Sequence, residues 1–532
     1  MNKIIDNYDY IIVGAGSAGC VVAARLSNAG YKTLLIEAGG NDSSPYIHIP
    51  MGYGKLFTNK KINWCYFGEP EPYLNNRKSY QPRGKVLGGT GSINGMIYIR
   101  GQKEDFDGWK SLGCTGWSFE DVLPYFKKSE NQQRGESHYH GVGGPLHVSD
   151  LPSRDELADA FNQTSLNLGA PKNDDFNGIT QEGNGYVQVT SKKNRRWSTA
   201  AGYIRGLKNT NLHVKLNTFV TKINIKDNKV LGVNYNDKNG NHTVNVNKEV
   251  ILSGGTFNSP HLLLLSGIGN ANELRQLDIP VKLDLPNVGK NLQDHFGIGL
   301  EFKCTKPITV NDLYHSYYQR IIAGFQYFIF GNGPMASNGN LANTFIKTGN
   351  HIKTPDMMVT FMAWCTGEDL GEPYPFSGFT ILAEHIQPKS RGCVNLRSAD
   401  PFDHPKMQFN FFKAEEDQRA AIAGLKYARK ISQTEPMKYY VKEEINPGPQ
   451  CQSDKDFIEH CKKSGGSLLH PVGTCSMGVN EDAVVDPELK VHGIENLRVV
   501  DASIMPKIVS GNTNAATIMI GEKGSDLILK DK

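Results

Sequence analysis

From Tyr8 to Gly40 the spacing of apolar positions changes twice. Tyr10–Val13 is a short aromatic and β-branched run, Ala18–Ala29 has the pattern of a helix, and Thr33–Ile36 is a second compact apolar run. This order predicts strand, turn, helix and strand. The turn holds Gly14, Gly16 and Gly19 in GxGxxG spacing. Glycine there lets the backbone double back and approach a pyrophosphate, whose charge meets the free N–H groups at the helix start. Glu37, ending the second strand, can accept hydrogen bonds from ribose hydroxyls and would repel a 2′-phosphate, so the unit reads as a dinucleotide site that disfavours NADP. The alternative is a glycine-rich turn in another kind of α/β protein.

Further along, Leu212–Val233 alternates in strand fashion with Asp227-Asn228 as a hairpin turn, and Lys248–Leu252 is a strand running into Ser253-Gly254-Gly255. Ser259-Pro260 is expected to open the helix that follows. Strand, glycine turn and helix thus return, which predicts that this segment joins the first sheet. Asp107–Asn131 reads as helix and turn, with Trp109 and Trp117 as packing anchors. Met357–Ala363 and Phe379–Ile386 read as strands in a stretch without glycine fingerprints. At the C-terminal end Leu497–Val500 is a strand, and Asn512 or Thr513 is the expected N-cap of a last helix, with Asn514 at its positive end.

With 532 residues, more than one core is expected. Lys and Arg number 58 against 54 Asp and Glu, a net charge of +4 that predicts no nucleic-acid partner. Met1–Tyr10 leaves no room for a cleavable signal before the first strand, and no run approaches the length of a spanning helix. The nearest, Ile321–Phe330, is read as a buried helix, with a peripheral membrane contact as the alternative. The nine cysteines lack CxxC or metal-like spacing. Reduced thiols in the cytoplasm follow, with a peripheral position on the inner face of the membrane as the other possibility. His138 and His140 have no third ligand nearby, so no metal is expected. Cys475, lacking a base other than His470, reads as a packing residue.

A second glycine cluster, Gly84–Arg100 (GKVLGGTGSINGMIYIR), suits backbone passing close to a flat or anionic ligand, or a turn that merely saves space. Together with the first fingerprint, with Gly255–Gly269 (GTFNSPHLLLLSGIG), Ser467–Gly478 (SLLHPVGTCSMG) and Val500–Glu522, it makes five stretches that resemble the glucose–methanol–choline oxidoreductases, in that family's order. The pattern is most similar to the choline dehydrogenases and to the acceptor-linked dehydrogenases of aliphatic primary alcohols. The resemblance implies an α/β (α+β overall) architecture: a Rossmann-like FAD-binding domain and a second, substrate-binding domain of mixed sheet and helices. Residues 1–301 would form the main FAD part, with substrate-domain insertions between 110 and 200, residues 302–464 the substrate domain, and 465–532 a return to the FAD domain.

Carried over by the resemblance, Gly14, Gly16, Gly19 and Glu37 would hold the ADP half of FAD. Gly88, Gly89, Thr90, Asn94 and Met96 would pass along the flavin, Val220 would meet the adenosine through its backbone, and Asp501 with Ala502 the ribityl and pyrophosphate region. Ser17, Ala18, Ala38, Arg83, Gly95, Asn512 and Thr513 join the cofactor contacts. Some family members attach FAD through a histidine where this chain has Ile93, so non-covalent FAD is implied. His470 matches the catalytic histidine and Asn514 its partner. An alcohol must lose a hydroxyl proton and a hydride; His470 is suited to the proton, Asn514 to holding the oxygen, and the last helix to stabilising charge on the flavin. By residue type alone the better reading of His470 is a buried histidine satisfied by backbone in a Pro- and Gly-rich turn, which the resemblance reverses, and His295 is read as structural. The implied activity is oxidation of a primary alcohol to an aldehyde with a quinone or other non-oxygen acceptor. Choline dehydrogenase, an O2-using oxidase, a flavin-containing lyase or photodecarboxylase, and a non-catalytic FAD-binding protein are the alternatives.

Overall fold

The computed structural model describes residues 7–367 and 372–531. Met1–Asp6, on which part of the reading of the N-terminus rested, lie outside the described residues. Two seven-stranded sheets organise the rest. In the first, the order is Leu212–Lys215, Thr33–Ile36, Asn7–Val13, Gly240–Leu252, Lys229–Asp237 and Phe219–Lys226, with Leu497–Val499 also pairing with Gly240–Leu252. The four strand pairs on the Asn7–Val13 side are parallel, and the three strands on the other side form an antiparallel meander. Thr33–Ile36 is buried throughout, as a strand covered on both faces must be. The helix Ser17–Asn28 returns the chain between the first two strands and packs on the last helix, Asn514–Lys530.

The short elements follow the apolar pattern closely. Asp227 and Asn228 take positive φ in the tight turn between Phe219–Lys226 and Lys229–Asp237. Gly240–Leu252 delivers the chain into a glycine turn and the helix Gly255–Leu265, alongside the first strand as expected. That helix begins earlier than Ser259-Pro260, and Pro260 lies inside it. The proline has no N–H to give to the Thr256 carbonyl. The Thr474 hydroxyl donates to that carbonyl instead, at 2.6 Å, so the helix continues through the proline. Trp109 and Trp117 are fully buried, and their indole N–H groups donate to the carbonyls of Lys507 and Pro487.

The second sheet is antiparallel: Val441–Asn446, Phe296–Cys304, Gly378–His385, Met357–Met362, Asn340–Ile346 and Gly183–Tyr186, with Gly466–Ser467 also beside Phe296–Cys304. It draws on chain before residue 200 and after residue 465, and Phe296–Cys304 lies in it as one strand. The helix Glu415–Ser432 covers one face. All nine cysteines are free, and Cys475 is wholly buried with its thiol pushed well above the ordinary range by desolvation. His140 is bonded to Glu130 and Asp175, while His138 is exposed; no group of three or more His, Cys, Asp or Glu that could hold a metal occurs among the described residues.

Ile321–Phe330 departs from its expected burial. The helix Tyr317–Phe325 and the following turn Gln326–Phe330 bury Ala323 and Tyr327 but leave Ile321, Phe325, Phe328, Ile329 and Phe330 each more than half exposed. A short amphipathic segment can be as apolar as a core helix, and composition does not tell which side has a partner. No described helix is long and apolar enough to cross a membrane.

The two helices of the first sheet are joined by a buried carboxylate. Glu522 accepts from Arg25 at 2.6 and 2.8 Å and from the Tyr203 hydroxyl at 2.7 Å. Replacing Glu522 by alanine strands the arginine and the phenol, and is expected to lower the unfolding free energy by about 3 kcal/mol. Chemical denaturation followed by tryptophan fluorescence measures this; an unchanged midpoint would remove the cluster from the account of stability.

Candidate active site

A cavity of about 370 Å³, within the range of ligand sites, lies between the two sheets and is lined by residues of both. Its floor is built where three separated turns touch. Gly88 N–H donates to the Ala15 carbonyl at 2.7 Å, and a Cβ on Gly89, whose φ is +55°, would stand 2.7 Å from Gly16 Cα. A Cβ on Gly19 would lie 1.9 Å from the Gly14 carbonyl oxygen, so the helix could not sit this close with any other residue. Gly16 differs: the nearest protein atom to its Cβ position is 3.9 Å away, and it faces the cavity. The space a side chain would take there is left for a ligand.

Three helices point their N-termini at this cavity. Their caps, Gly16, Gly254 and Thr513, all line it, and none makes a side-chain capping hydrogen bond. Backbone N–H groups left without a cap and aligned with helix dipoles suit anionic groups. Glu37 accepts from the N–H of Ala15 and of Gly39, at 2.9 and 2.8 Å, and burial pushes its carboxyl up to about 7. Asp501 ties the Leu497–Val499 strand to the helix at Gly255 by accepting from Gly255 N–H and Ser259 at 2.8 and 2.6 Å. Of the residues expected to hold FAD, Gly14, Gly16, Ser17, Glu37, Ala38, Arg83, Gly89, Thr90, Asn94, Gly95, Met96, Val220, Asp501, Ala502, Asn512 and Thr513 line the cavity; Ala18, Gly19 and Gly88 do not. The turn, the free helix ends and the open side of Gly16 fit a dinucleotide such as FAD.

His470 lines the cavity with Asn512 beside it, and Asn514, Asn340, Thr360 and Glu384 line the same cavity. The residue before it, Leu469, has φ +66°, an uncommon conformation for leucine that the surroundings must hold. Asp294 supplies the hold: it accepts from the His470 backbone N–H at 2.8 Å and from the Ser467 hydroxyl. Burial pushes Asp294 up to about 6, with Arg83 among the groups opposing that rise. Arg83 itself donates to the Leu469 carbonyl at 2.8 Å, and burial draws its guanidinium down to about 10.

The His470 ring lies between two partners. Its Nδ1 is 3.0 Å from Nδ1 of His295, and its Nε2 is 2.9 Å from the Asn512 amide nitrogen. With the amide donating, Nε2 carries the lone pair and the ring proton sits on Nδ1, shared with His295. Burial, and then the charge of Arg83, hold His470 down to about 3, so it is neutral near pH 7. His295 is wholly buried and also held well below its ordinary value by desolvation, so it can stand as a neutral acceptor. His295, read from the sequence as structural, stands with its Nδ1 against His470. Asn514 accepts from Ser17 at 2.6 Å, which ties the last helix to the first fingerprint.

Some contributors carry no signal that a single sequence reveals. Arg196 is buried and reaches both the side chain and the carbonyl of Asn94, at 2.7 and 2.5 Å, fixing the second glycine cluster. Ser510, held by Asp105 at 2.6 and 2.8 Å, fixes the turn before Asn512. Glu384 comes from a strand that reads only as apolar alternation; its carboxyl accepts from Thr360 at 2.6 Å, and burial pushes it up to about 8. Only Asp294 had a cue, its position next to His295.

Two family models, both described as GMC oxidoreductase, match residues 8–297 and 388–521. The chain is 40% identical over 531 residues to an alcohol dehydrogenase (acceptor) of Pseudomonas putida, covering 98% of this chain and 96% of the relative. It is also 40% identical over 525 residues to an oxygen-dependent choline dehydrogenase of Sinorhizobium fredii, covering 98% and 95%. Among solved structures, pyridoxine 4-oxidase from Mesorbium loti superposes with a TM-score of 0.89 at 27% identity, covering 97% of this chain and 98% of that one. A formate oxidase variant from Aspergillus oryzae RIB40 superposes with 0.93 at 27% identity, covering 99% and 98%. With both family models placed in order along one cavity that fits FAD, the chain belongs to the GMC oxidoreductase family of FAD-dependent enzymes.

Proposed function

We propose that the protein oxidises a primary alcohol to an aldehyde, with His470 accepting the hydroxyl proton and the electrons leaving to a quinone or another non-oxygen acceptor. The observation that carries this reading is the His470 ring, buried and held neutral near pH 7 at the cavity end, with Nδ1 facing His295 and Nε2 facing the Asn512 amide. FAD, which the cavity lining would hold without a covalent link since Ile93 stands where a linking histidine would be, would supply the acceptor for the hydride. The chain's own residues do the rest. The alcohol hydroxyl gives its proton to Nε2, and Asn512, whose amide stands against that nitrogen, steadies the oxygen, whereas Asn514 is bonded to Ser17. His295 keeps the Nδ1 proton directed away from the substrate, and Arg83 with Asp294 fixes the backbone from which the ring projects.

Similarity to an acceptor-linked alcohol dehydrogenase and to a choline dehydrogenase leaves the substrate between a neutral and a cationic alcohol. Glu384 supports the first. Its carboxyl stands in the cavity with Tyr53 and Phe57, yet burial keeps it protonated near pH 7, so it brings no negative charge to the site there. A quaternary ammonium is favoured only once the carboxylate forms.

Replacing His470 by alanine is expected to lower turnover at least ~10²-fold with flavin still bound, since general-base catalysis contributes that order. Turnover within a few-fold of the unsubstituted protein would contradict the assignment. For Glu384 the sign is set by a raised carboxyl value: the charge is absent below about 8 and present above it. The ratio of kcat/KM for choline to that for an aliphatic primary alcohol is therefore expected to be low near neutrality, to rise with pH, and to lose this rise in Glu384→Gln. A ratio independent of pH in the unsubstituted protein would contradict the role of Glu384. Aldehyde formed with a quinone in excess of H2O2 formed in air distinguishes the dehydrogenase from an oxidase.

A further inference from the structure

The exposed helix Tyr317–Phe325, with the turn Gln326–Phe330, is the largest run of unpartnered apolar surface among the described residues. Tyr317, Tyr318, Phe325, Phe328 and Phe330 are 59–73% exposed, and only Ala323 and Tyr327 anchor the segment to the fold. Rings and branched aliphatics standing together in this way mark an interaction surface, whereas scattered ones do not.

Its surroundings give the partner's chemistry. The hairpin Ser191–Lys192 to Arg195–Arg196 abuts the segment's end: Asn194 donates to the Gly331 carbonyl, and the Tyr327 hydroxyl donates to the Asn194 carbonyl at 3.2 Å. The tip of this hairpin bears exposed Lys193 and Arg195. Exposed Lys55 stands 5.1 Å from the Tyr314 ring at the other end, and Arg320 lies 5.8 Å from the Tyr317 ring. Among the described residues, the acids close to the helix start are engaged, Asp312 as the cap acceptor for Thr309 and Glu372 as acceptor for the Tyr314 hydroxyl at 3.1 Å. An apolar and aromatic face bordered by cations matches a bilayer surface with anionic headgroups: rings enter the headgroup and acyl boundary, and the lysines and arginines meet phosphate.

We propose that this segment docks the protein on an anionic phospholipid bilayer without crossing it. The docking face lies next to the active site. The turn Pro50–Lys55 packs on Pro334–Ala336, which packs on the helix, and Tyr53 of that turn lines the cavity. An alcohol or electron acceptor dissolved in the bilayer is thereby held near the cavity wall.

The test is flotation of the FAD-loaded protein with vesicles of phosphatidylcholine mixed with phosphatidylglycerol, and with vesicles of phosphatidylcholine alone. Binding to the mixed vesicles, weakened by salt, is expected. The combined variant F328S, I329S and F330S is expected to reduce the bound fraction at least ~10-fold, while flavin content and oxidation of a water-soluble alcohol stay unchanged. Lys193→Gln with Arg195→Gln is expected to abolish the preference for the anionic vesicles, which keeps the proposal open to test if the first variant folds poorly. Failure of the unsubstituted protein to float, equal flotation of the serine variant, or equal binding to both vesicle types would overturn it. So would a dimer in solution that the serine variant splits and that ignores vesicles, since the face would then belong to a second copy of the chain.

Discussion

The site depends on backbone touching backbone. Ala15–Gly16, Gly88–Gly89 and Ser253–Gly254 come from stretches far apart in the chain, and they meet without side chains between them. This contact brings the starts of two helices to one place, and Asn514, bonded to Ser17, brings a third. Three helix N-termini, of which the one at Gly255 has the Asp501 carboxylate on its first N–H, would repel one another in an empty core. They are stable together when a polyanion, or water, occupies the space between them. The fold is thus shaped around a ligand whose charge completes it, and the glycines are required by distance as much as by turn geometry.

A second constraint is laid over the first. The cavity end that faces the second sheet holds His470 on a strained Leu469, and Asp294 and Arg83 hold that loop from two sides. Strain of this kind persists only where neighbours over-determine it. Here the effect is to fix the position of an imidazole, with a second imidazole behind it and an amide before it. Burial then keeps both rings neutral, so His470 has a lone pair with which to accept a proton. A neutral base gains a positive charge as it accepts a proton, and that charge is best tolerated when negative charge grows nearby at the same moment. In the proposed reaction the dipole of the last helix and a proton taken up by His470 would act on one event from two directions.

Much of this was legible in the chain. The parallel unit Asn7–Ile36, the return of strand, glycine turn and helix near Gly255, and the last helix could be read because period and glycine spacing are local properties. The His470 loop could be read only by resemblance, since a histidine in a Pro- and Gly-rich turn has no period of its own. The partners of His470 were harder still. Asn512 and His295 reach it from distant segments, and Glu384 enters the cavity from a strand whose pattern reveals burial but not which side faces the ligand. The segment Ile321–Phe330 failed for the opposite reason: its apolar pattern is plain, but whether such a face meets the core or the outside is decided by tertiary contacts.

The central claim is that a bound flavin takes a hydride from a primary alcohol while this histidine takes the proton. Anaerobic mixing of the FAD-loaded protein with aliphatic and aromatic primary alcohols, followed by absorption at the flavin's visible band, tests it most directly. The account predicts bleaching by such alcohols that a quinone reverses quickly and air slowly. A bound flavin that no alcohol bleaches would contradict it.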